Sequence, residues 1–565
     1  MRFALRRALP FLSWPRPSGA LLRGEALAGL TVALMLVPQA VAYAQLAGMP
    51  PVTGIYAALL PALVAVLFSG SVRLSVGPTA LTALLVAASL TPLAEPGSAR
   101  WVELAVWLAL LTGGVQALLG LARFGWLLNL VSAPVLMAFT QGAAVLIIVS
   151  QLPAMLGLPG LRASDLAGDA LRGWHWPAAL FGGVTLALLL LLKRWRPTFP
   201  GVLLIVLVAA GVAWATGFEA GGGAVVGVLP QGLPALALPG WPGWQTLGQL
   251  ILPTLVITLV SFLETASSAR VDNERRGQRW DQNQDLIGQG LGKLAAGLSG
   301  TFATSASFSR SALNLYAGAQ TGWATVFSVL VVLGMLLVFT PVLRHVPQAV
   351  LAAIVVAAVL GLIKPREFVR LWRVSRAEAV MAGITVALTI AAAPALYWGV
   401  LAGVLMTLGS FVYQRLHPRI IEVGLHPDGS LRDRHLWHLP PLAPHTLALR
   451  MDAALDFATA SAFERRVADA LATQPEVRHL VLLAQPINRI DATGCETLLK
   501  LMARTHSRGV AWHIVGMKLP MERTLQAAGA LANDPLLHLH RTDPEALAAL
   551  ARLRPQAPDM AAAMI

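Results

Sequence analysis

The chain has 565 residues, 56% hydrophobic and only 12% charged, with 42 Lys and Arg against 28 Asp and Glu for a net charge of +14. Soluble globular chains carry about 25% charged residues, so this composition excludes intrinsic disorder and argues against a wholly soluble fold. A single cysteine, Cys495, excludes an intramolecular disulfide framework and a Cys-rich metal site.

No charged residue falls between Ala26 and Val72, between Phe124 and Leu161, or between Ser311 and Leu343. A bilayer-spanning helix needs about 20 apolar residues, so these windows read as membrane. The basic residues flank apolar runs: Arg2, Arg6, Arg7, Arg16 and Arg23 before the first, Lys193, Arg194 and Arg196 after another, and Arg270, Arg275, Arg276 and Arg279 after a later one. That placement argues for the positive-inside rule rather than nucleic-acid binding, with both termini cytoplasmic in the inner (plasma) membrane. The N-terminus shows basic residues but no apolar stretch followed by a small-residue cleavage site, so no removable signal peptide is expected.

In chain order, residues 1–24 form a cytoplasmic segment and 25–414 a transmembrane domain of about fourteen segments. Their centres fall near Leu34, Leu59, Leu84, Leu110, Leu136, Leu186 and Val208, then Ile257, Leu291, Leu313, Val331, Val355, Ala387 and Val404. An odd number of spans per half makes the halves inverted repeats. From Lys364 to Arg376 (KPREFVRLWRVSR), Phe368, Leu371 and Trp372 share one helical face, which predicts an amphipathic helix lying in the membrane interface; an ordinary charged loop is the alternative. Residues 415–444 read as a Pro/His-rich linker, 445–553 as a soluble α/β domain and 554–565 as a tail. In the α/β stretch HTLALRMDAAL, VRHLVLLAQPI and VAWHIVGM predict strands, and Ala460–Leu471 and CETLLKLMARTHSRG predict helices. Their alternation implies a parallel or mixed sheet covered by helices. His417, His426, His435, His438 and His445 read as linker residues rather than metal ligands.

Two stretches break the rules that lipid imposes. In RLSVGPTA, Gly77 and Pro78 interrupt an apolar run, with Pro78 expected as the first residue of the next helix, running through Thr82 and Leu85. In TFATSASFSRSALN, from Thr301 to Asn314, hydroxyls crowd the start of another helix. Non-helical backbone at membrane depth is tolerated only inside protein or beside a cavity. A pair of interrupted segments in matching positions, here the third and tenth, points to a transporter binding site. Two helix N-termini meeting near the midplane would make an anion site. Arg310 can grip an oxyanion with two parallel hydrogen bonds, with Ser307, Ser309 and Ser311 as further donors. The competing reading is an interior strut in which Arg310 pairs permanently with Glu264. Glu264 can instead hold a proton, coupling proton entry to anion entry. Gln39 and Tyr43, four apart on one helical face beside Pro38, can hydrogen-bond a substrate or simply a neighbouring helix. Gly297-Leu298-Ser299-Gly300 matches a short intramembrane serine protease sequence, but no histidine lies in the uncharged windows to complete it. With neither a P-loop nor HExxH, the chain lacks the residues of ATP-driven or metalloprotease chemistry.

The run VPQAVAYAQLAGMPPVTGIYAALLPALVAVLFSGSVRLSVGPTALTAL resembles the signature region of the sulfate permease (SulP) family. QNQDLIGQGLGKLAAGLSGTFATSASFSRSALNLYAGAQTG is similar to that family's ninth and tenth segments, and IDATG before a helix resembles a STAS domain. The resemblance implies a polytopic α-helical fold of fourteen segments in two inverted repeats, divided into core and gate domains with elevator-like exchange of access, plus a C-terminal cytoplasmic STAS domain. By motif match it places Gln39, Tyr43, Thr79, Ala80, Ser307, Ser309 and Arg310 around the anion, and Glu264 at the acidic position used by proton-coupled members. Ala40 stands where some proton-coupled plant members carry an acid, so coupling would rest on Glu264. The first hydroxyl of the STAS loop is replaced by Ala492, which argues against a phosphoswitch; Thr493 is left to cap the next helix.

The resulting expectation is a non-enzymatic secondary transporter, without cofactors, taking up sulfate with protons as the coupling ion and Na⁺ less favoured. Alternatives are a bicarbonate or dicarboxylate symporter or exchanger on the same scaffold, a passive anion channel, or a membrane-tethered STAS sensor. The expected partners are the anion, the lipid bilayer, a second copy in a homodimer and a cytoplasmic partner of the STAS domain; no nucleic acid is expected.

Overall fold

Ser18 opens the first long helix by accepting Leu21 N–H on its hydroxyl at 3.2 Å. The helix, α1, runs Gly19–Leu46 and continues through Pro38; at 1.5 Å per residue it is about 42 Å long, more than the hydrocarbon core requires. The computed structural model describes residues 9–158, 174–195, 201–228, 230, 232–338, 340–393, 395–531 and 534–553. Arg2, Arg6, Arg7, Arg196, the loop 162–172 and the tail 554–565 lie outside the described residues. The chain divides into two units, Met1–Thr407 and Leu408–Ile565.

In the first unit α1 is followed by α2 (Pro51–Ala57), α3 (Leu60–Phe68), β1 (Val76–Gly77), α4 (Ala80–Leu90), α5 (Ala99–Leu121), α6 (Ala133–Met155), α7 (Trp176–Trp195) and α8 (Gly201–Ala215). Then come α9 (Trp244–Arg275), α10 (Gln282–Leu298), β2 (Ser305–Ala306), α11 (Phe308–Tyr316), α12 (Trp323–Val338), α13 (Gln348–Leu360), α14 (Pro365–Val374), α15 (Arg376–Ala391) and α16 (Tyr397–Leu416), the last running past the boundary at Thr407. Thirteen of the fourteen expected centres lie in these helices, and Leu59 sits at the break between α2 and α3. Among the described residues, eight helical stretches are long and apolar enough to cross a membrane, and Ala80–Leu90, Gly201–Ala215 and Trp323–Val338 are shorter apolar helices.

Packing sorts the helices into two groups. Helices α1, α3, α4 and α5 pack against α9, α10, α11 and α12, whereas α6 packs on α13 and α15 and α7 on α13. Helices α5 and α10 cross closely. A β-carbon on Gly113 would lie 2.7 Å from Leu294 N, and one on Gly290 would lie 2.5 Å from Ala117 N, so only glycine lets these backbones approach. The segment expected to be amphipathic is helical as α14; it has no buried residue and exposes Val369, Trp372 and Val374.

The second unit is a mixed six-stranded sheet of order β4-β3-β5-β6-β7-β8, with β3 Ile420–Leu425, β4 Leu431–Asp433, β5 Thr446–Met451, β6 His479–Leu483, β7 Ala511–Val515 and β8 Leu537–His540. Strands β5 to β8 run parallel, as the α/β alternation predicts, and α17 (Ala460–Thr473), α18 (Ala492–His506), α19 (Leu519–Ala527) and α20 (Asp543–Ala551) accompany them. Alternate residues enter two cores: Leu447, Leu449, Leu480, Leu482, Trp512 and Ile514 in one, Ala448, Val481, Leu483 and Val515 in the other. The sheet begins before the boundary drawn from sequence. Residues 415–444, expected as a linker, contribute β3 and β4, because Ile420 pairs antiparallel with Met451 and Ile421 and Val423 enter a core.

Candidate functional site

The two interrupted stretches meet. Val76 pairs with Ala306 and Gly77 with Ser305 in a two-stranded antiparallel sheet. Ser307 N–H donates to the Ser75 carbonyl at 2.9 Å, and Ser75 N–H donates to the Ser311 hydroxyl at 3.0 Å. These bonds satisfy backbone that would otherwise be stranded inside the membrane unit. Each strand feeds a helix. Thr79 caps α4, its hydroxyl accepting Thr82 N–H at 3.3 Å, so the helix starts one residue after this cap and two after Pro78 rather than at Pro78 itself. Ser307 caps α11 by accepting Arg310 N–H at 3.5 Å. Two helix N-termini, each an anion-attracting end, are thereby held side by side by one small sheet.

Arg310, on the first turn of α11, is completely buried. Its Nε donates to the Ser75 hydroxyl at 3.3 Å, while Nη1 and Nη2 have no hydrogen-bonding partner among the described residues. An unpaired buried guanidinium is costly, and the free edge has the fork geometry that fits an oxyanion. Glu264, part-buried on α9, does not close this edge. Its Oε2 accepts from Thr79 Oγ1 at 3.3 Å and Thr82 Oγ1 at 3.4 Å, and it forms no ion pair with Arg310 among the described residues. A permanent Arg310–Glu264 strut is therefore absent from this conformation.

The other expected residues lie in different settings. Gln39 and Tyr43 are buried one turn apart on α1; Gln39 Oε1 has no partner among the described residues, and Tyr43 lies within electrostatic reach of Arg310 and Glu264. Ala80 is buried as the first residue of α4. Ser309 is exposed, with its hydroxyl 3.4 Å from that of Ser307. The geometry thus joins Tyr43, Thr79, Ser307, Arg310 and Glu264, and adds Ser75, which sequence reasoning did not single out although it stands in the quoted RLSVGPTA.

Sequence reasoning treated Arg310 and Glu264 as the two intramembrane charges, and the structure buries more. Lys293 on α10 is fully buried and donates to Gln116 Oε1 at 2.7 Å. Asp285 is buried and accepts from Ser71 N–H at 2.9 Å and Trp280 Nε1 at 2.7 Å; Asp272 is buried in an ion pair with Arg73. The charge-free windows could not reveal them, because they fall between those windows, Asp272 near the end of α9 and Asp285 and Lys293 in the Gly- and Ala-rich α10. The protease-like Ser299 hydroxyl is spent on the Ala295 carbonyl at 2.5 Å. No group of three or more His, Cys, Asp or Glu among the described residues could hold a metal ion.

A membrane unit with two apposed helix N-termini around a buried arginine whose Nη groups are open, joined in sequence to an α/β domain, fits the class of anion transporters. Residues 22–385 match the sulfate permease family and residues 441–545 the STAS domain, and the chain belongs to that family, whose members are transporters rather than enzymes. A probable sulfate transporter of Mycobacterium tuberculosis is 34% identical over 541 residues, covering 94% of this chain and 96% of that protein. A probable sulfate transporter of Arabidopsis thaliana is 31% identical over 530 residues, covering 89% of this chain and 77% of that protein. Among solved structures, the murine Slc26a9 anion transporter in its inward-facing state superposes with a TM-score of 0.85 at 20% identity, covering 98% of this chain and 95% of that one. The transmembrane domain of the cyanobacterial bicarbonate transporter BicA gives 0.59 at 21% identity, covering 70% of this chain and 99% of that one. These last two likenesses establish the fold.

Proposed function

We propose that the protein takes up a small oxyanion, sulfate first, together with protons, by an elevator-type movement of the group containing α1, α4, α9 and α11 against the group containing α6 and α13. The observation that carries this reading is the buried Arg310 guanidinium, whose two Nη groups are unpartnered beside the paired N-termini of α4 and α11. Sulfate presents two oxygens at the spacing of that fork, and the helix ends add partial positive charge where the dianion would sit. The relatives described as sulfate transporters favour sulfate over bicarbonate or a dicarboxylate. Glu264 lies in electrostatic reach of Arg310 without bonding to it, so proton and anion can load one site together. Protons are favoured over Na⁺ as the coupling ion, with no further cofactor. The reading extends to residence in the inner (plasma) membrane, cytoplasmic termini, a homodimer and a cytoplasmic partner for the STAS domain.

The test is uptake of radiolabelled sulfate into proteoliposomes at two external pH values, with bicarbonate, fumarate and chloride as competitors. Accumulation under external acid, abolished by Glu264→Gln, is the expected result. Uptake indifferent to the pH gradient removes proton coupling. Preferential competition by bicarbonate or fumarate reassigns the substrate, conductance far above carrier rates makes the protein a channel, and binding without movement makes it a sensor.

A further inference from the structure

Ser75, whose hydroxyl holds the Arg310 guanidinium, also lines a small cavity of about 10 Å³, room for one water. Four polar side chains border it: Ser75 just before β1, Asn314 on α11, and Thr325 and Ser328 on α12. Apolar residues of α1 and α3, Leu36 and Ala62 among them, line the rest. Each of the four polar residues is more than nine-tenths buried.

Two of these groups are short of a partner, in opposite senses. The Ser75 hydroxyl accepts from Arg310 Nε at 3.3 Å, but its own proton meets no acceptor among the described residues. Asn314 Nδ2 donates to the Arg73 carbonyl at 2.8 Å, which fixes the orientation of the amide and leaves Asn314 Oδ1 buried with no donor among the described residues. A buried donor or acceptor left unmade is costly. One molecule that both accepts and donates answers the two at once. A cation would sit one oxygen away from the guanidinium that already bonds Ser75, and an anion would meet the lone pairs of Asn314 Oδ1. Water fits the size of the cavity and both of its unserved groups.

Resting on the oxyanion reading of the neighbouring site, we infer that the cavity holds one ordered water, through which Asn314 and Ser328 act as positioning residues for Arg310. The water accepts the Ser75 proton and donates to Asn314 Oδ1, and the Ser328 and Thr325 hydroxyls take its remaining lone pair and proton. Ser75 is then fixed with a lone pair toward Arg310 Nε. The guanidinium is gripped by that one edge, and Nη1 and Nη2 stay open to the anion. Without the water, the Ser75 proton has no acceptor, nothing sets which way the hydroxyl turns, and the grip on Arg310 loosens.

The experiment has two arms, both on the purified full-length protein in lipid nanodiscs. An electron cryomicroscopy map fine enough to show other buried waters is expected to show density in this cavity, about 2.6–3.2 Å from Ser75 Oγ and Asn314 Oδ1. Equilibrium binding of labelled sulfate is then compared for the parent, Ser328→Ala, Ser328→Val, Ser75→Ala and the double variant Ser75→Ala/Ser328→Val. Ser328→Ala leaves the water three partners and stays within about twofold of the parent. Ser328→Val fills the cavity and expels the water, and is expected to weaken binding about tenfold, the size of one hydrogen bond to a charged group. In the Ser75→Ala background the same valine changes affinity by less than about twofold, because the hydroxyl through which the water acts is gone. An empty cavity in such a map overturns the assignment. So does a Ser328→Val deficit of equal size in the Ser75→Ala background, which marks overpacking, and so does no deficit at all. If Ser328→Val does not fold, the map of the parent decides alone. A parent that binds no sulfate removes the oxyanion reading and the positioning role with it, while the map still decides whether the water is there.

Discussion

A β-carbon placed on Gly77 would lie 3.4 Å from Nη2 of Arg310. The glycine sits in β1 opposite Ser305, so the backbone of one interrupted segment forms the floor beneath the guanidinium that the other provides. A single methyl fits there at ordinary contact distance, and anything longer occupies the place of the anion. Gly77→Ala is expected to keep sulfate affinity within about threefold, whereas Gly77→Leu loses about tenfold or more, because an overpacked branch either displaces the guanidinium or fills its open edge. Equilibrium sulfate binding to the detergent-purified variants checks both.

Arg310→Lys separates charge from geometry. The substitution keeps a cation on the first turn of α11 but loses the Nε bond to Ser75 and the planar fork with its two free Nη groups. Ammonium acts as a point charge and cannot make the paired bonds. A loss of about 2–3 kcal/mol in sulfate binding is expected, the size of a charged hydrogen bond removed from a buried site. Measured as apparent KM in proteoliposomes, that is a rise of about 30-fold or more. Retention of parental KM would mean that charge alone recruits the anion.

The site's outline was legible because membrane helices have little reason to tolerate Gly77-Pro78 or the serines around Arg310 unless those residues form something. Hydropathy located helices for the same reason, since apolar length is the constraint that lipid imposes. What stayed hidden depends on which way a side chain turns. Lys293 reads as one polar residue in a glycine- and alanine-rich helix, and only the α5–α10 crossing shows that it points into protein toward Gln116. Strand β3 looked like linker because its antiparallel partner, β5, follows a Pro- and His-rich stretch that hides the pairing. Whether Glu264 bonds to Arg310 or stands apart is a matter of a few ångströms, which residue identity does not carry.

The STAS sheet contains a pH-sensitive row of imidazoles. His479 Nδ1 lies 3.2 Å from His513 Nε2, and His513 Nδ1 lies 3.0 Å from His540 Nε2, across the adjacent parallel strands β6, β7 and β8. His538 faces His513 in register and stacks on it at 4.8 Å. A neutral imidazole offers one N–H and one lone pair, so three neutral rings link head to tail, whereas a proton on the middle ring places a charge in a part-buried site among three other imidazoles. Burial, then the neighbouring His538, His479 and His540, push His513 down to about 4. A group whose folded value is depressed below 6.5 binds protons more readily unfolded, so its contribution to stability is full above about pH 6.5 and is lost as pH falls toward 4. Allowing for the partly exposed neighbouring rings, the loss is about 1–2 kcal/mol. Hydrogen exchange of the β7 and β8 amides in the full-length protein, corrected for intrinsic rates, should show protection falling between pH 7.5 and pH 5. His513→Phe should flatten that dependence.

At the start of α18 the IDATG motif has a structural explanation that ranks three substitutions. Asp491, not Thr493, is the cap: its Oδ1 accepts Gly494 N–H at 2.8 Å, and its Oδ2 accepts Phe457 N–H at 3.0 Å, tying the helix to the segment before α17. Thr493 lies within the first turn, two residues past the cap position. Gly494 presses on the backbone of Leu455, where a β-carbon would lie 2.1 Å from the carbonyl oxygen. Gly494→Ala must therefore push α18 away from the Leu455 backbone and is expected to cost about 2–3 kcal/mol. Asp491→Ala removes the carboxylate that accepts from two backbone N–H groups at the helix entry and is expected to cost about 1–2 kcal/mol. Thr493→Ala touches neither and stays within about 0.5 kcal/mol. Exchange protection of the 492–506 amides in each full-length variant reads the order directly. If Thr493→Ala proved as damaging as Asp491→Ala, the capping role would belong to the threonine, and the Phe457 tie would lose its importance.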